Sequence, residues 1–155
     1  TVLAQNEKLT ATFQAVCDHL THADPNDFDS QIPPTFVSCD AEQNTVVCSF
    51  EVKKSFGNPH GNMHGGLIAA MIDSAQGSTI ASICGLDTHI VTVSLQVSYQ
   101  AHFSWAKVFV RVRVQQAGGH IAYCSAEAWQ QEGEIAATTA AVYHIIRGAK
   151  HDKSS

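Results

Sequence analysis

Apolar residues recur at steps of three and four positions through the first part of the chain, between residues 2 and 21. This spacing places them on one face and predicts an amphipathic helix that ends before Asp24 and Pro25. Two short stretches rich in β-branched and aromatic residues follow at 35–39 and 45–52. The polar sequence between them predicts a hairpin.

A second helix is predicted over residues 64–84, where the side chains are mostly small and apolar and Gly85 ends the run. Glycine-containing turns separate the later strands and predict an antiparallel meander. The four strands predicted after this helix are residues 90–102, 106–116, 121–131 and 134–146.

The first of these four strands alternates most regularly, with apolar residues at the odd positions Val91, Val93, Leu95, Val97 and Tyr99. A period of two predicts that this face is buried. Strands with one apolar face must pack that face against another apolar element, and the helix at 64–84 is apolar on nearly all sides. We therefore expect an α+β fold in which an antiparallel sheet wraps around this helix, with an extra helix at the N-terminus.

The chain has 155 residues, which is the size of a single domain, predicted over residues 1–150 with a frayed tail at 151–155. Only 15% of the residues are charged, against about a quarter in an average soluble domain, so we expect part of the surface to form a subunit interface. The net charge is -5 and the basic residues are scattered, which argues against a nucleic-acid partner.

Polar side chains interrupt the apolar run at residues 67–86, so a membrane partner is not expected. The first residues lack the basic and apolar segments of a signal peptide. The five cysteines are odd in number and scattered, which does not favour a disulfide framework. These features together predict a cytoplasmic location.

Asp73 is the one charged residue within the predicted helix at 64–84. A buried carboxylate is costly unless it is paired or hydrogen-bonded. It is either a structural aspartate held by its neighbours or a general base or nucleophile. We favour the catalytic interpretation, because poorly solvated carboxylates serve in those two roles.

The segment that leads into this helix, from Asn58 to Gly66, is rich in glycine, asparagine and histidine. Helix N-termini offer free backbone N–H groups and the positive end of the helix dipole, and glycine permits close approach by a substrate. An oxyanion hole at Gly65 is one interpretation. An ordinary glycine-rich turn is the other.

Gly65 and Asp73 are eight residues apart, which is roughly 12 Å along a helix axis. An oxyanion donor and an attacking group must both lie about 3 Å from one reacting centre. One chain therefore cannot supply both groups. Two antiparallel helices related by a two-fold axis would bring them together and would give a homodimer with two equivalent sites.

The sequence His64-Gly65-Gly66, with Asp73 seven residues later, Asn58 before it and the strand VTVSLQVSYQAH after it, resembles hotdog-fold thioesterases of the phenylacetyl-CoA thioesterase-like (PaaI-like) branch. The resemblance covers about residues 45–147, with 1–44 as an N-terminal helix and lead-in. It implies a sheet around a central helix, edge-to-edge homodimers that often form homotetramers, and an acyl-CoA substrate. It implies no metal and no cofactor.

The resemblance also implies residue roles. Asp73 is the base or nucleophile, and the Gly65 amide is the oxyanion donor from the partner subunit. Asn58 helps to hold the substrate carbonyl or the attacking water, and Thr92 is a small hydroxyl residue near the acid. Further contacts with substrate are predicted for Phe56, His60, Met63, His64 and Gly66.

Three alternatives remain open. A hotdog-fold hydratase or dehydratase would use His60, 13 residues before Asp73, as its catalytic histidine. A metal site would combine His60, His64 and Asp73. A non-catalytic acyl-CoA-binding protein would keep the pocket alone. The acyl group is not predicted by the sequence.

Overall fold

The structure is a computed structural model and describes residues 1–52 and 60–148. Within these ranges every helix and strand predicted from the sequence is present, in the predicted order. A four-residue helix and a 3-10 turn at Ala41–Gln43 were not predicted. The elements are α1 (Val2–Thr21), α2 (Phe28–Gln31), β1 (Thr35–Asp40), β2 (Thr45–Phe50), α3 (Gly65–Cys84), β3 (His89–Tyr99), β4 (Val108–Gly118), β5 (Ile121–Trp129) and β6 (Ile135–Ile146).

The six strands form one antiparallel sheet in the order β1-β2-β4-β5-β6-β3. The predicted meander is confirmed for β4, β5 and β6, whose turns contain Gly119 and Gly133 at positive φ. β3 pairs instead with β6, from His89↔Ile146 to Tyr99↔Ala137, and forms one edge of the sheet. The reason is that residues 100–107 make no tight turn between β3 and β4.

α3 packs against the inner face of the sheet, as predicted from its apolar character. The inward valines of β4 are at most 2% exposed, and each buried side chain of this size stabilises the fold by about 1.5–3 kcal/mol. α1 packs against α3 and contributes Leu9, Phe13 and Val16 to the core. By length and hydropathy alone α3 could cross a membrane, but 56% of that window is buried within the chain, as in a core helix.

The predicted buried face of β3 is wrong at three of its five positions, because Val91 is 39%, Val93 60% and Tyr99 48% exposed. A bulge between Thr92 and Ser94 shifts the register against β6. One extra residue exchanges the two faces of a strand, so Thr92 rather than Val91 or Val93 faces α3. Since β3 is an edge strand, its outer backbone groups pair with no other strand among residues 1–52 and 60–148.

Candidate active site

Asp73 lies in the middle of α3 and is half-buried. Its Oδ1 accepts hydrogen bonds from the hydroxyl of Tyr143 at 2.6 Å and from the hydroxyl of Thr92 at 2.9 Å. The predicted partnership of Thr92 with the acid is therefore present in the structure. Within residues 1–52 and 60–148, Oδ2 has no hydrogen-bond donor and the carboxylate has no salt bridge. Among these residues, Oδ2 therefore keeps its hydrogen-bonding capacity for water or a substrate.

Tyr143 belongs to a chain of hydrogen bonds that was not predicted from the sequence. The Thr139 hydroxyl donates to Oε1 of Gln76 at 2.6 Å, and Nε2 of Gln76 donates to the Tyr143 oxygen at 2.8 Å. All three side chains are buried. The hydrogen bonds run in one direction, from Thr139 through Gln76 and Tyr143 to Oδ1 of Asp73. Burial, followed by the hydrogen bond to Asp73, raises the pKa of Tyr143 well above its ordinary value, so the phenol remains a donor.

We expect Tyr143→Phe to lower kcat by roughly 10-fold with little change in KM, since one of two donors that orient Asp73 is lost. Tyr123→Phe, on the exposed side of β5, is the matched control. An unchanged kcat in folded Tyr143→Phe would show that the tyrosine has only a packing role.

The other predicted group, Gly65, is the first residue of α3. His64 caps this helix, because its Nδ1 accepts from the Gly66 N–H at 3.2 Å and its backbone oxygen accepts from Leu67 and Ile68. Of the first four amides, only that of Gly65 has no acceptor in the described part of the chain. It is a free donor at the positive end of the helix dipole.

This capping role bears on two predicted substrate contacts. Because Nδ1 of His64 is an acceptor, its ring proton must be on Nε2 when the cap is formed. The Gly66 amide is already used by His64, so only the Gly65 amide is left to bind an oxyanion.

Tyr99, at the end of β3, holds the same helix terminus, because its hydroxyl donates to the Gly65 carbonyl oxygen. Partial burial raises the pKa of Tyr99, which keeps this donor protonated. β3 thus contacts α3 at two places: Thr92 at Asp73 and Tyr99 at Gly65. These two contacts are seven residues apart on the strand.

The remaining predicted site residues are distributed differently. Met63 is 5% exposed and packs in the hydrophobic core, with its N–H donating to the oxygen of Phe103. His60 lies in an exposed turn. Asn58 and Phe56 fall outside the described residues, and their predicted roles stay predictions.

No three His, Cys, Asp or Glu side chains in residues 1–52 and 60–148 are grouped for a metal ion, so the alternative of His60, His64 and Asp73 is not formed. The thiol of Cys124, on β5, is influenced by the charge of Asp73. Burial, with a smaller contribution from that charge, raises its pKa to about 12. Its thiol is therefore protonated near neutral pH and does not provide a thiolate nucleophile.

Comparison with known proteins shows the family. The profile of the thioesterase superfamily matches residues 60–137, which is half of the chain. No curated protein matches by sequence.

Solved structures show the same fold. PaaI from the phenylacetic acid degradation operon of E. coli superposes with a TM-score of 0.73 at 18% identity, covering 93% of this chain and 97% of that one. A putative thioesterase of Ralstonia eutropha, related to phenylacetic acid degradation, gives 0.72 at 18% identity over 88% and 98%. A Streptococcus mutans protein solved with acetyl CoA gives 0.67 at 18% identity over 83% and 98%.

The structure confirms the predicted antiparallel sheet around a long helix, with an additional N-terminal helix. The matched region contains both the helix start at Gly65 and the carboxylate of Asp73. On this evidence the chain belongs to the thioesterase superfamily and has the hotdog fold.

Proposed function

We propose that this protein hydrolyses acyl-CoA thioesters at two equivalent sites of a homodimer. Each site combines Asp73 of one subunit with the partner subunit's Gly65, whose amide binds the oxyanion. The observation that carries the proposal is the pair of unused polar groups on α3, Oδ2 of Asp73 and the N–H of Gly65. They are roughly 12 Å apart along the axis and cannot act on one carbonyl within a single chain.

The edge strand supports this pairing. In the part of the chain that the structure describes, the outer edge of β3 pairs with no other strand, and Val91, Val93 and Tyr99 on this strand are exposed. The midpoint between Thr92 and Tyr99 lies between Leu95 and Gln96. Antiparallel pairing of two β3 strands about a two-fold axis near this midpoint would bring the Tyr99 end of one strand beside the Thr92 end of the other. Because Tyr99 contacts Gly65 and Thr92 contacts Asp73, the two halves of the site would meet.

The chemistry follows from these groups. Oδ2 of Asp73 either takes a proton from water as the water oxygen attacks the thioester carbon, or attacks that carbon itself. The Gly65 amide stabilises the negative charge that develops on the carbonyl oxygen. On the general-base route the C–S bond then breaks, the CoA thiolate takes the proton held by Asp73, and the carboxylic acid leaves. On the nucleophilic route, breakage of the C–S bond leaves an anhydride between Asp73 and the acyl group. Water hydrolyses this anhydride, which releases the acid and restores the Asp73 carboxylate, and one proton of that water goes to the thiolate. Tyr143 and Thr92 hold the carboxylate through Oδ1.

The test is release of CoA thiol from a panel of acyl-CoAs, followed with a thiol reagent, with crotonyl-CoA hydration measured on the same preparation. We expect one thiol for each acid formed and no hydration. Hydration of crotonyl-CoA without thiol release would replace this proposal with the hydratase alternative. Acyl-CoA binding without either reaction would indicate a binding protein.

A further inference from the structure

Tyr99 is an exposed aromatic residue at the end of the edge strand β3, and it has no part in the reaction described above. Its side chain is 48% exposed. Its cross-strand neighbour on β6 is Ala137, which is fully buried, so Tyr99 lies on the face of the sheet that carries α3. The Tyr99 hydroxyl donates to the Gly65 carbonyl oxygen, and a Cβ built at Gly65 would lie 3.6 Å from the tyrosine ring. An exposed side chain on the strand edge is therefore fixed to the residue whose amide is free.

Two side chains hold the peptide group between Gly65 and Gly66 from opposite ends. Its carbonyl oxygen accepts from Tyr99, and its N–H donates to Nδ1 of His64 at 3.2 Å. Neither glycine has a side chain that could limit the backbone by packing, and glycine has more conformational freedom than any other residue. The contacts of His64 and Tyr99 therefore restrict the flexible segment that directly follows the Gly65 N–H.

The backbone around Tyr99 is itself anchored. The two N–H groups that follow it, those of Gln100 and Ala101, donate to one carbonyl oxygen on β6 at 2.8 and 3.2 Å. The N–H of Met63 donates to the oxygen of Phe103 at 3.1 Å, which ties the segment before α3 to the segment after β3. Loss of the Tyr99 hydroxyl alone should therefore loosen the first turn of α3 while the fold is retained.

We propose that Tyr99 is a positioning residue of the active site, which holds the Gly65 amide in place for a thioester attacked by the partner subunit's Asp73. This inference rests on the proposed function and assigns Tyr99 to one of its two sites. Antiparallel pairing of two β3 strands about the midpoint described above places Tyr99 close to the partner's Thr92, with both side chains on the α3 face. Cross-strand neighbours lie about 5 Å apart. The tyrosine that holds one subunit's Gly65 therefore lies beside the Thr92 hydroxyl that holds the partner's Asp73.

The first test is Tyr99→Phe, which removes the hydroxyl and keeps the ring. We expect kcat for thioester hydrolysis to fall by roughly 10-fold with less than about a 2-fold change in KM, because a displaced amide stabilises the oxyanion less but leaves substrate binding in place. In a Gly65→Pro background, where the amide is absent, the same substitution should lower kcat by less than about 2-fold. Equal losses in the two backgrounds would overturn the inference.

The matched control for this change is Tyr123→Phe, on the exposed side of β5, where the tyrosine side chain is 47% exposed. It should keep the kcat of the unmodified protein. A similar loss of kcat in Tyr123→Phe and Tyr99→Phe would show that the effect does not come from the contact with Gly65, and would overturn the inference.

A second measurement does not depend on catalysis. The Gly66 N–H belongs to the peptide group that Tyr99 contacts, so its exchange with solvent reports whether that group is held. We expect exchange in Tyr99→Phe to be at least about 5-fold faster than in the unmodified protein, measured by NMR with isotopically labelled glycine. Gly66→Ala identifies the signal. Equal exchange rates in the two proteins would overturn the inference.

Mixed dimers of Tyr99→Phe and Asp73→Asn subunits test which site the tyrosine serves. If Tyr99 serves the same site as its own Gly65, each mixed dimer keeps one intact site, and equal amounts refolded together should show about a quarter of the original activity. If it served the site of its own Asp73, no intact site would form and about a twentieth would remain. The lower value, in a sample shown to contain mixed dimers, would overturn the inference.

The outcomes separate this inference from the proposed function. If no acyl-CoA of the panel is hydrolysed, the proposed function is wrong and this inference is lost with it. If acyl-CoAs are hydrolysed and Gly65→Pro is impaired but Tyr99→Phe is not, the proposed function stands and the role of Tyr99 is overturned.

Discussion

Asp73→Asn is expected to lower kcat for thioester hydrolysis by at least about 10²-fold while the fold is retained. The amide has the shape of the carboxylate, and its oxygen can still accept from Tyr143 and Thr92. It can neither take a proton from water nor attack the thioester. The measurement is thiol release from the best substrate of the panel, with circular dichroism and thermal unfolding as the check on structure.

The matched control for this change is Asp40→Asn, an identical substitution on β1, at the edge of the sheet opposite β3. It should keep activity close to that of the unmodified protein. If folded Asp73→Asn retains more than a tenth of the original kcat, Asp73 has a structural role and the mechanism is wrong.

Gly65→Pro is expected to lower kcat by about 10²–10³-fold, because it removes the one amide that is free to bind the oxyanion. Proline is well accepted at the first position of a helix, and His64 has the extended backbone that a residue before proline prefers. A Cβ at Gly65 would lie 3.6 Å from the Tyr99 ring, an ordinary contact.

Gly65→Ala adds a side chain at the same place but keeps the N–H. The ratio of kcat between the alanine and proline variants therefore isolates the contribution of the amide. Equal kcat values for the two variants would show that the Gly65 amide does not stabilise the transition state.

The sequence predicted those site residues that are unusual among their neighbours in the chain. Asp73 is a carboxylate in an apolar helix, and Gly65 lies where a glycine-rich segment enters that helix. Both features depend only on neighbours in the chain. Thr92 came from the family resemblance, and the structure places its hydroxyl on Asp73.

What the sequence could not predict depends on contacts between distant segments. Tyr143 is 70 residues from Asp73, and its position in β6 resembles that of any core aromatic residue. The one available signal was Gln76, an uncharged polar side chain one turn from Asp73 in an apolar helix. The bulge in β3 is visible only in its pairing with β6, because the alternation of residues 91–99 continues without a break.

The central claim is that each site is shared between two subunits, and a mixed dimer of Gly65→Pro and Asp73→Asn subunits tests it most directly. Either variant alone has a lesion in both sites. In a mixed dimer one site has both lesions and the other has none.

The measurement is thiol release after equal amounts of the two variants, carrying different tags, have been refolded together. Native mass spectrometry establishes the fraction of mixed dimers. Random pairing makes half of the dimers mixed with one intact site of two, so activity should recover to about a quarter of the unmodified protein. Activity no higher than the mean of the two variants, in a sample that contains mixed dimers, would contradict the shared site.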